Sequence, residues 1–145
     1  MNNASLTAKE YLSRAHRIDQ RINAKLEQVH SLRARATNIT AVMSDMPVNH
    51  TPDAHPMEST IVRLIDLERE INSDIDCLVD LKREMYDIVR SVTNPEYQLL
   101  LELRYLLFKT WPEIAASLNT EERTVFNIHG RALEEVGKIL TEHAV

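Results

Sequence analysis

Glycine, cysteine, aromatic residues and long apolar runs are all scarce in this chain, and each scarcity removes a class of protein. Two glycines in 145 residues leave no Gly-rich loop of the kind that cradles phosphates, which needs backbone free of side chains. One cysteine, Cys77, excludes an internal disulfide and fits a reducing cytoplasm. No stretch approaches the roughly 20 apolar residues of a membrane span, so no membrane partner is expected. The opening residues, Met1-Asn2-Asn3-Ala4-Ser5-Leu6, show neither the basic nor the apolar block of a signal peptide. Aromatic residues make up 5% of the chain. With so few of them, and with Leu, Ile, Glu and Arg abundant, an all-α protein is expected, either one ordinary domain or two small units. No nucleophile stands near an obvious base and no metal-ligand set is spaced for coordination. The chain therefore reads as a non-enzyme without catalytic residues, cofactor or metal.

The first two-thirds follow a repeat of 3 and 4. Ala8, Tyr11, Ala15, Ile18, Ile22, Lys25, Val29, Leu32, Ala36, Ile39 and Met43 keep that spacing with one charged interruption, and Leu12 and Leu26 widen the seam. Met57, Ile61, Leu64, Glu68, Ile71, Ile75, Leu78, Lys82, Met85, Val89 and Val92 repeat it, widened by Ile65, Leu67, Leu81 and Ile88. Two heptad helices of similar length predict a coiled-coil-like antiparallel hairpin over residues 1–93. Their extra apolar residues suit pairing with another copy, giving a homodimer or higher homo-oligomer. Between the helices, the 45–56 stretch carries Pro47, Pro52 and Pro56 and reads as a surface loop. His50 and His55 within it read as solvated side chains, since only Asp53 lies near to complete a metal set.

Thr93-Asn94-Pro95-Glu96 marks a boundary, and residues 94–145 read as a separate module. A helix runs from there through Leu107, with Leu99, Leu100, Leu103, Leu106 and Leu107 on its apolar side and Trp111 sealing the small core. Thr110, three residues before Glu113, predicts a capping box, with Pro112 tolerated in the first turn. Asn119 and Thr120 break the pattern, and Glu121 and Glu122 suit the positive end of a new helix. Two short helices and a sharp turn make a helix-turn-helix.

At about 100° per residue, Val125, Ile128, Ala132, Val136 and Ile139 share the buried stripe of the last helix, and His129 points the same way as a packed histidine. Arg123, Asn127, Gly130, Arg131, Glu134 and Lys138 project from the other side, with Thr124 and Phe126 flanking. Arg, Asn and Lys are the types that bond guanine, adenine and phosphate, and Phe126 or Thr124 suits a thymine methyl or the sugar backbone. Glycine inside a helix costs about 1 kcal/mol relative to alanine, so Gly130 suits close approach to another backbone, with neutral drift the equal alternative. The candidate double-stranded-DNA-binding set is Glu122, Arg123, Thr124, Phe126, Asn127, Gly130, Arg131 and Lys138.

These residues resemble region four of bacterial sigma factors. The likeness lies in Leu103-Arg104-Tyr105, Trp111-Pro112-Glu113-Ile114-Ala115, and the runs Arg123-Thr124-Val125 and Arg131-Ala132-Leu133. The whole chain is similar to a small family of phage and prophage proteins of Gram-positive hosts, related in design to phage late-gene regulators. The resemblance implies a transcriptional regulator of promoter-proximal DNA, working with RNA polymerase in the cytoplasm of a bacterial host. It carries base-reading roles onto Glu122, Arg123 and Asn127, and a basic role onto Arg131. Thr124 and Phe126 stand where sigma factors commonly place arginines, so fewer phosphate contacts are implied. No segment resembles the region that melts the −10 element, which argues against a complete sigma factor.

Charge works against simple DNA attraction. Residues 94–145 carry 5 Lys or Arg against 8 Asp or Glu, so little affinity comes from counterion release and two modules or a polymerase must help. Two other readings fit the same pattern. One is a DNA-recognition subunit of a phage packaging complex, and the other a polymerase-binding adaptor that reads no DNA.

Overall fold

The computed structural model describes residues 3–44 and 55–143, and every regular element within them is helical. α1 is Asn3–Ser44 and α2 His55–Arg90. α3 (Pro95–Leu101) opens into a wider π-turn at Glu102–Leu106, and α4 (Trp111–Ser117) and α5 (Glu122–His143) follow. No helix among the described residues is long and apolar enough to cross a membrane. His55 and Pro56 lie in the first turn of α2, where proline removes no intrahelical bond. The rest of the expected 45–56 loop, with His50, lies outside the described residues.

Two compact units divide the chain: Asp19–Cys77, and Met1–Ile18 together with Leu78–Val145. In the first, α1 and α2 run antiparallel, since Arg21 and Lys25 meet Asp74 while Arg33 meets Glu68. Ile22, Val29, Leu67 and Ile71 are buried there. The charged interruption in the α1 heptad is matched across the seam, where Lys25 Nζ lies 2.7 Å from an Asp74 carboxylate oxygen.

That match corrects the expected α2 register. Thr60, Leu64, Leu67, Ile71 and Asp74 form the buried or half-buried stripe, whereas Ile61, Ile65, Glu68 and Ile75 are exposed, and so is Leu26 on α1. α2 carries apolar residues on two neighbouring stripes, which periodicity alone does not rank. A seam through Ile75 would leave Lys25 without its carboxylate in a partly dry site, and charge satisfaction selects the other stripe.

The second unit has two cores. One gathers Ala8, Leu12 and Ala15 of α1 with Leu81, Met85 and Val89 of α2, Leu101 and Tyr105, and Ala132, Leu133 and Val136 of α5. Gly137 lets α1 come this close, because a Cβ there would lie 2.7 Å from the carbonyl oxygen of Ala4. The other core is Leu100, Ile114, Ala115, Val125 and Ile128, with Trp111 and Leu118 packed on it. Asn94 caps α3, its side chain accepting from the Glu96 N–H at 2.9 Å. Gln98 Nε2 donates to the carbonyls of Arg90 and Val92 at the end of α2.

The π-turn changes which leucines face inward. Leu107 N–H bonds the Glu102 carbonyl at 3.0 Å, a five-residue step, and the extra residue rotates the helix face. Tyr105 is buried within this turn and Leu107 exposed at its end, and before it Leu101 is buried and Leu99 exposed, although Leu99 and Leu107 were expected on the apolar side. Phe108 follows with φ 59°, a left-handed conformation that costs a bulky residue energy. Its ring is held 5.1 Å from the His16 ring and 4.5 Å from Lys82 Nζ.

Candidate nucleic-acid interface

The helix pair α4–α5 is built as its sequence dictates. Thr110 Oγ1 accepts from the Glu113 N–H at 3.3 Å, and the Glu113 carboxylate accepts from the Thr110 N–H at 3.4 Å, completing the capping box. The Thr110 hydroxyl, which donates to the Glu113 carboxylate at 2.9 Å, and then the Thr110 N–H hold the exposed Glu113 carboxyl below its usual pKa. At the other end the Thr120 N–H bonds the Ala115 carbonyl at 3.0 Å and the Asn119 N–H bonds the Ala116 carbonyl at 3.2 Å. With Asn119 at φ 54°, this is a Schellman turn, in which asparagine takes the left-handed position usually filled by glycine. α5 begins at Glu122, one residue after Glu121, whose carbonyl accepts from the Val125 N–H at 3.1 Å.

The exposed side of α5 holds the candidate residues. Glu122, Arg123, Thr124, Phe126, Asn127, Arg131 and Lys138 are all exposed, and Val125, Ile128, His129, Ala132 and Val136 are buried beneath them. Arg123, Asn127 and Arg131 project within about 80° of each other over the first half of the helix. Lys138 shares their side but lies about 22 Å beyond Arg123 at 1.5 Å per residue, with the exposed Glu134 between. An arginine, an asparagine and a second arginine therefore form one patch, and Lys138 stands apart from it.

Gly130 departs from expectation. A Cβ there would meet nothing within 4 Å, so no backbone approaches it, and close approach belongs to Gly137. What Gly130 contributes is an open notch in the surface beside Arg131.

An aromatic cluster underlies the patch, and only parts of it were foreseeable. Trp111 packs edge-on to Phe126 with centroids 5.3 Å apart and edge-on to His129 at 4.7 Å. The Arg104 guanidinium lies 4.3 Å from the centre of the Trp111 ring and donates to the Lys109 carbonyl at 2.9 Å. Arg104 thus adds a cation against Trp111. Its place depends on the π-turn, for which the sequence holds no signal. Below, Tyr105 Oη and His129 Nε2 are 2.6 Å apart in the core. Burial first, then the charges of Lys9 and Arg104, lowers the His129 pKa to about 4, while burial pushes Tyr105 up to about 12. At neutral pH the imidazole is uncharged, and in its Nδ1–H tautomer the Tyr105 O–H donates and Nε2 accepts.

Electrostatically the patch is mixed. Arg104, Arg123 and Arg131 are offset by Glu121 and Glu122 at the start of α5 and by Glu134, so discrete hydrogen-bonding groups outweigh any net positive field. Among the described residues no three His, Cys, Asp or Glu side chains converge to hold a metal ion. No known protein-family model matches the chain, and neither a curated protein nor a solved structure is significantly similar to it.

Proposed function

We propose that this chain is a phage-type transcriptional regulator that binds promoter-proximal double-stranded DNA through α4, the Asn119 turn and α5. It would act beside RNA polymerase in the cytoplasm of a bacterial host. One observation carries the reading. A capped short helix and a left-handed turn present Arg123, Asn127 and Arg131 together on the free side of a helix whose other side closes a small core. Side chains of those types bond guanine, adenine and phosphate edges with geometry that a merely solvated helix face does not need. The half-exposed Phe126, braced by Trp111, offers an apolar surface for a thymine methyl. The exposed Glu122 carboxylate is an acceptor for the cytosine amino group.

The surplus of acidic residues favours a second reading, an adaptor that holds polymerase without reading DNA. A footprint over the DNA of the element that encodes the chain, at low and moderate salt, separates the two. The regulator protects a short site, and Arg123→Ala and Asn127→Ala each weaken protection by about 5- to 150-fold, the scale of 1–3 kcal/mol per good base contact. Lys138→Ala has a smaller effect. Unchanged protection in the Arg123 and Asn127 variants removes the reading face, and polymerase capture with no footprint at any salt leaves the adaptor. A packaging subunit would instead assemble as a ring of many copies, visible by size.

A further inference from the structure

The edge of the 19–77 unit that carries Lys25 is laced by ion pairs near that residue and lacks them further along. Lys25 of α1 meets Asp74 and Glu70 of α2 at 2.7 and 3.7 Å, and Arg21 reaches Asp74 at 3.9 Å. On antiparallel helices each step up α1 is a step down α2, so these pairs bring Arg63 level with residues 32–36 of α1, alongside Arg35. Here arginine stands beside arginine. Among the described residues no ion pair holds either one, and Arg63 instead donates to the Gln28 side-chain oxygen at 3.4 Å. A groove of about 530 Å³ opens at this level, and its walls include Glu27, Gln28, Ser31, Leu32 and Arg35 of α1 and Arg63 of α2. Gln28, Ser31 and Arg35, spaced 3 and 4 apart, share one face of α1. Glu27 is the one carboxylate on the groove, and it is exposed at the rim without an ion pair to either arginine.

We propose that this groove binds a phosphate group between the Arg35 and Arg63 guanidinium forks, with the Ser31 hydroxyl and the Gln28 side-chain amide donating to the remaining oxygens. Two like charges that share a groove repel each other, and an anion placed between them turns that repulsion into attraction. A guanidinium presents paired N–H donors with the spacing of phosphate oxygens. Gln28 is engaged by Arg63 through its oxygen, which leaves its N–H groups to donate. Four donor groups suit the three or four oxygens of a phosphate better than the two of a carboxylate. No aromatic ring lines the groove, so a nucleobase finds no stacking surface there, and the phosphate itself is the group recognised. A free phosphate or small phosphate ester and the backbone of a nucleic acid present this same chemistry. The site does not rest on the DNA-binding reading of α5.

Arginine side-chain NMR of the full chain is the test, following the Nε–H signals while inorganic phosphate replaces chloride at constant ionic strength. The Arg35 and Arg63 signals are expected to shift together and to saturate. Arg35→Gln or Arg63→Gln then raises the dissociation constant by about tenfold, the worth of one charge-assisted hydrogen bond. Arg69→Gln removes an exposed arginine of α2 outside the groove and changes the constant by less than about twofold, as a distant surface charge does. Glu27→Gln acts with the opposite sign and tightens binding, because it takes a negative charge from the rim. Helix content stays unchanged in all four variants, since each of these side chains is exposed. A short DNA duplex of arbitrary sequence, titrated in the same way, identifies the source of the phosphate. If the duplex moves the same two signals the ligand is a backbone phosphate, and if it leaves them in place the ligand is free phosphate or a small ester. A saturable shift with neither ligand overturns the proposal. So does a loss in Arg69→Gln equal to that in Arg35→Gln, which would reduce the effect to diffuse charge.

Discussion

Acidification should weaken the C-terminal core through one residue, His129. Its pKa is about 4 against an ordinary 6.5, so the folded protein refuses a proton that the unfolded chain accepts. Stability from the neutral imidazole is complete above pH 6.5. As pH falls below that value the unfolded state binds more protons, and stability drops by about 1.4 kcal/mol per pH unit until the folded pKa near 4. Between pH 6.5 and 4.5 the loss is roughly 2–3 kcal/mol, a large fraction of the ~5–15 kcal/mol that holds a domain together. Trp111, the one tryptophan, lies 4.7 Å from the His129 ring and reports unfolding of this core by fluorescence. Urea titrations at pH 7.5, 6.5, 5.5 and 4.5 would be run on the wild type and on His129→Gln, whose amide oxygen can accept from Tyr105. Carboxylates titrate alike in both proteins, so the difference isolates the imidazole. It should be constant from pH 7.5 to 6.5 and shift by roughly 2–3 kcal/mol in favour of the variant by pH 4.5. A flat difference over the whole range, or a His129 ring that titrates near 6.5 by NMR, would refute the assignment of a neutral, buried acceptor.

The two glycines of α5 should respond in opposite directions to the same substitution. Gly137→Ala drives a methyl group into the backbone of Ala4 and should lower stability by about 1–3 kcal/mol, the usual cost of overpacking. Gly130→Ala meets no neighbour and should raise it by up to about 1 kcal/mol through helix propensity. Thermal melts of both variants check this, and a destabilised Gly130→Ala would mean that the notch beside Arg131 is structural after all. Removing the Thr110 cap with Thr110→Ala should cost about 1 kcal/mol and should displace Trp111 and Phe126 with the start of α4. Its effect on DNA affinity should therefore exceed that of an exposed substitution such as Ser117→Ala, and equal effects would detach the cap from the reading face.

How much of this was legible in the sequence depends on the range of the interaction that decides each feature. Local chemistry was readable: the Thr110–Glu113 box, the proline in the first turn of α4, the break at Asn119 and Thr120 and the buried stripe of α5 all follow from residues within one or two turns, while the left-handed conformation of Asn119 was not foreseen. The antiparallel run of α1 and α2 was also foreseeable, because two heptad patterns of like length leave few alternatives. The register of α2 was not. Ile61, Ile65 and Ile75 are as apolar as Leu64, Leu67 and Ile71, and the choice between stripes turns on one cross-helix pair, Lys25 with Asp74, which lies 49 residues apart in the chain. The π-turn at Glu102–Leu106 escaped for a related reason. Nothing in Glu-Leu-Arg-Tyr-Leu distinguishes it from an α-helix, and only packing of Tyr105 against His129, 24 residues away, rewards the wider turn.

That same turn explains why the reading face could be only partly assembled from sequence. Arg123, Asn127 and Arg131 lie on one helix and fall together by periodicity alone, whereas Arg104, in the π-turn, comes from a separate element and lies against Trp111, on which Phe126 packs. A face that borrows a cation from a neighbouring helix offsets part of the acidic surplus counted along the module. It does so at Trp111, against which Phe126 packs. On the proposed DNA-binding reading, Arg104→Ala should weaken DNA binding without loosening the Tyr105–His129 core, and Arg104→Lys should restore charge but not the flat stacking that an arginine makes on an indole. Equal binding by all three proteins would leave Arg104 a packing residue with no part in the proposed interface.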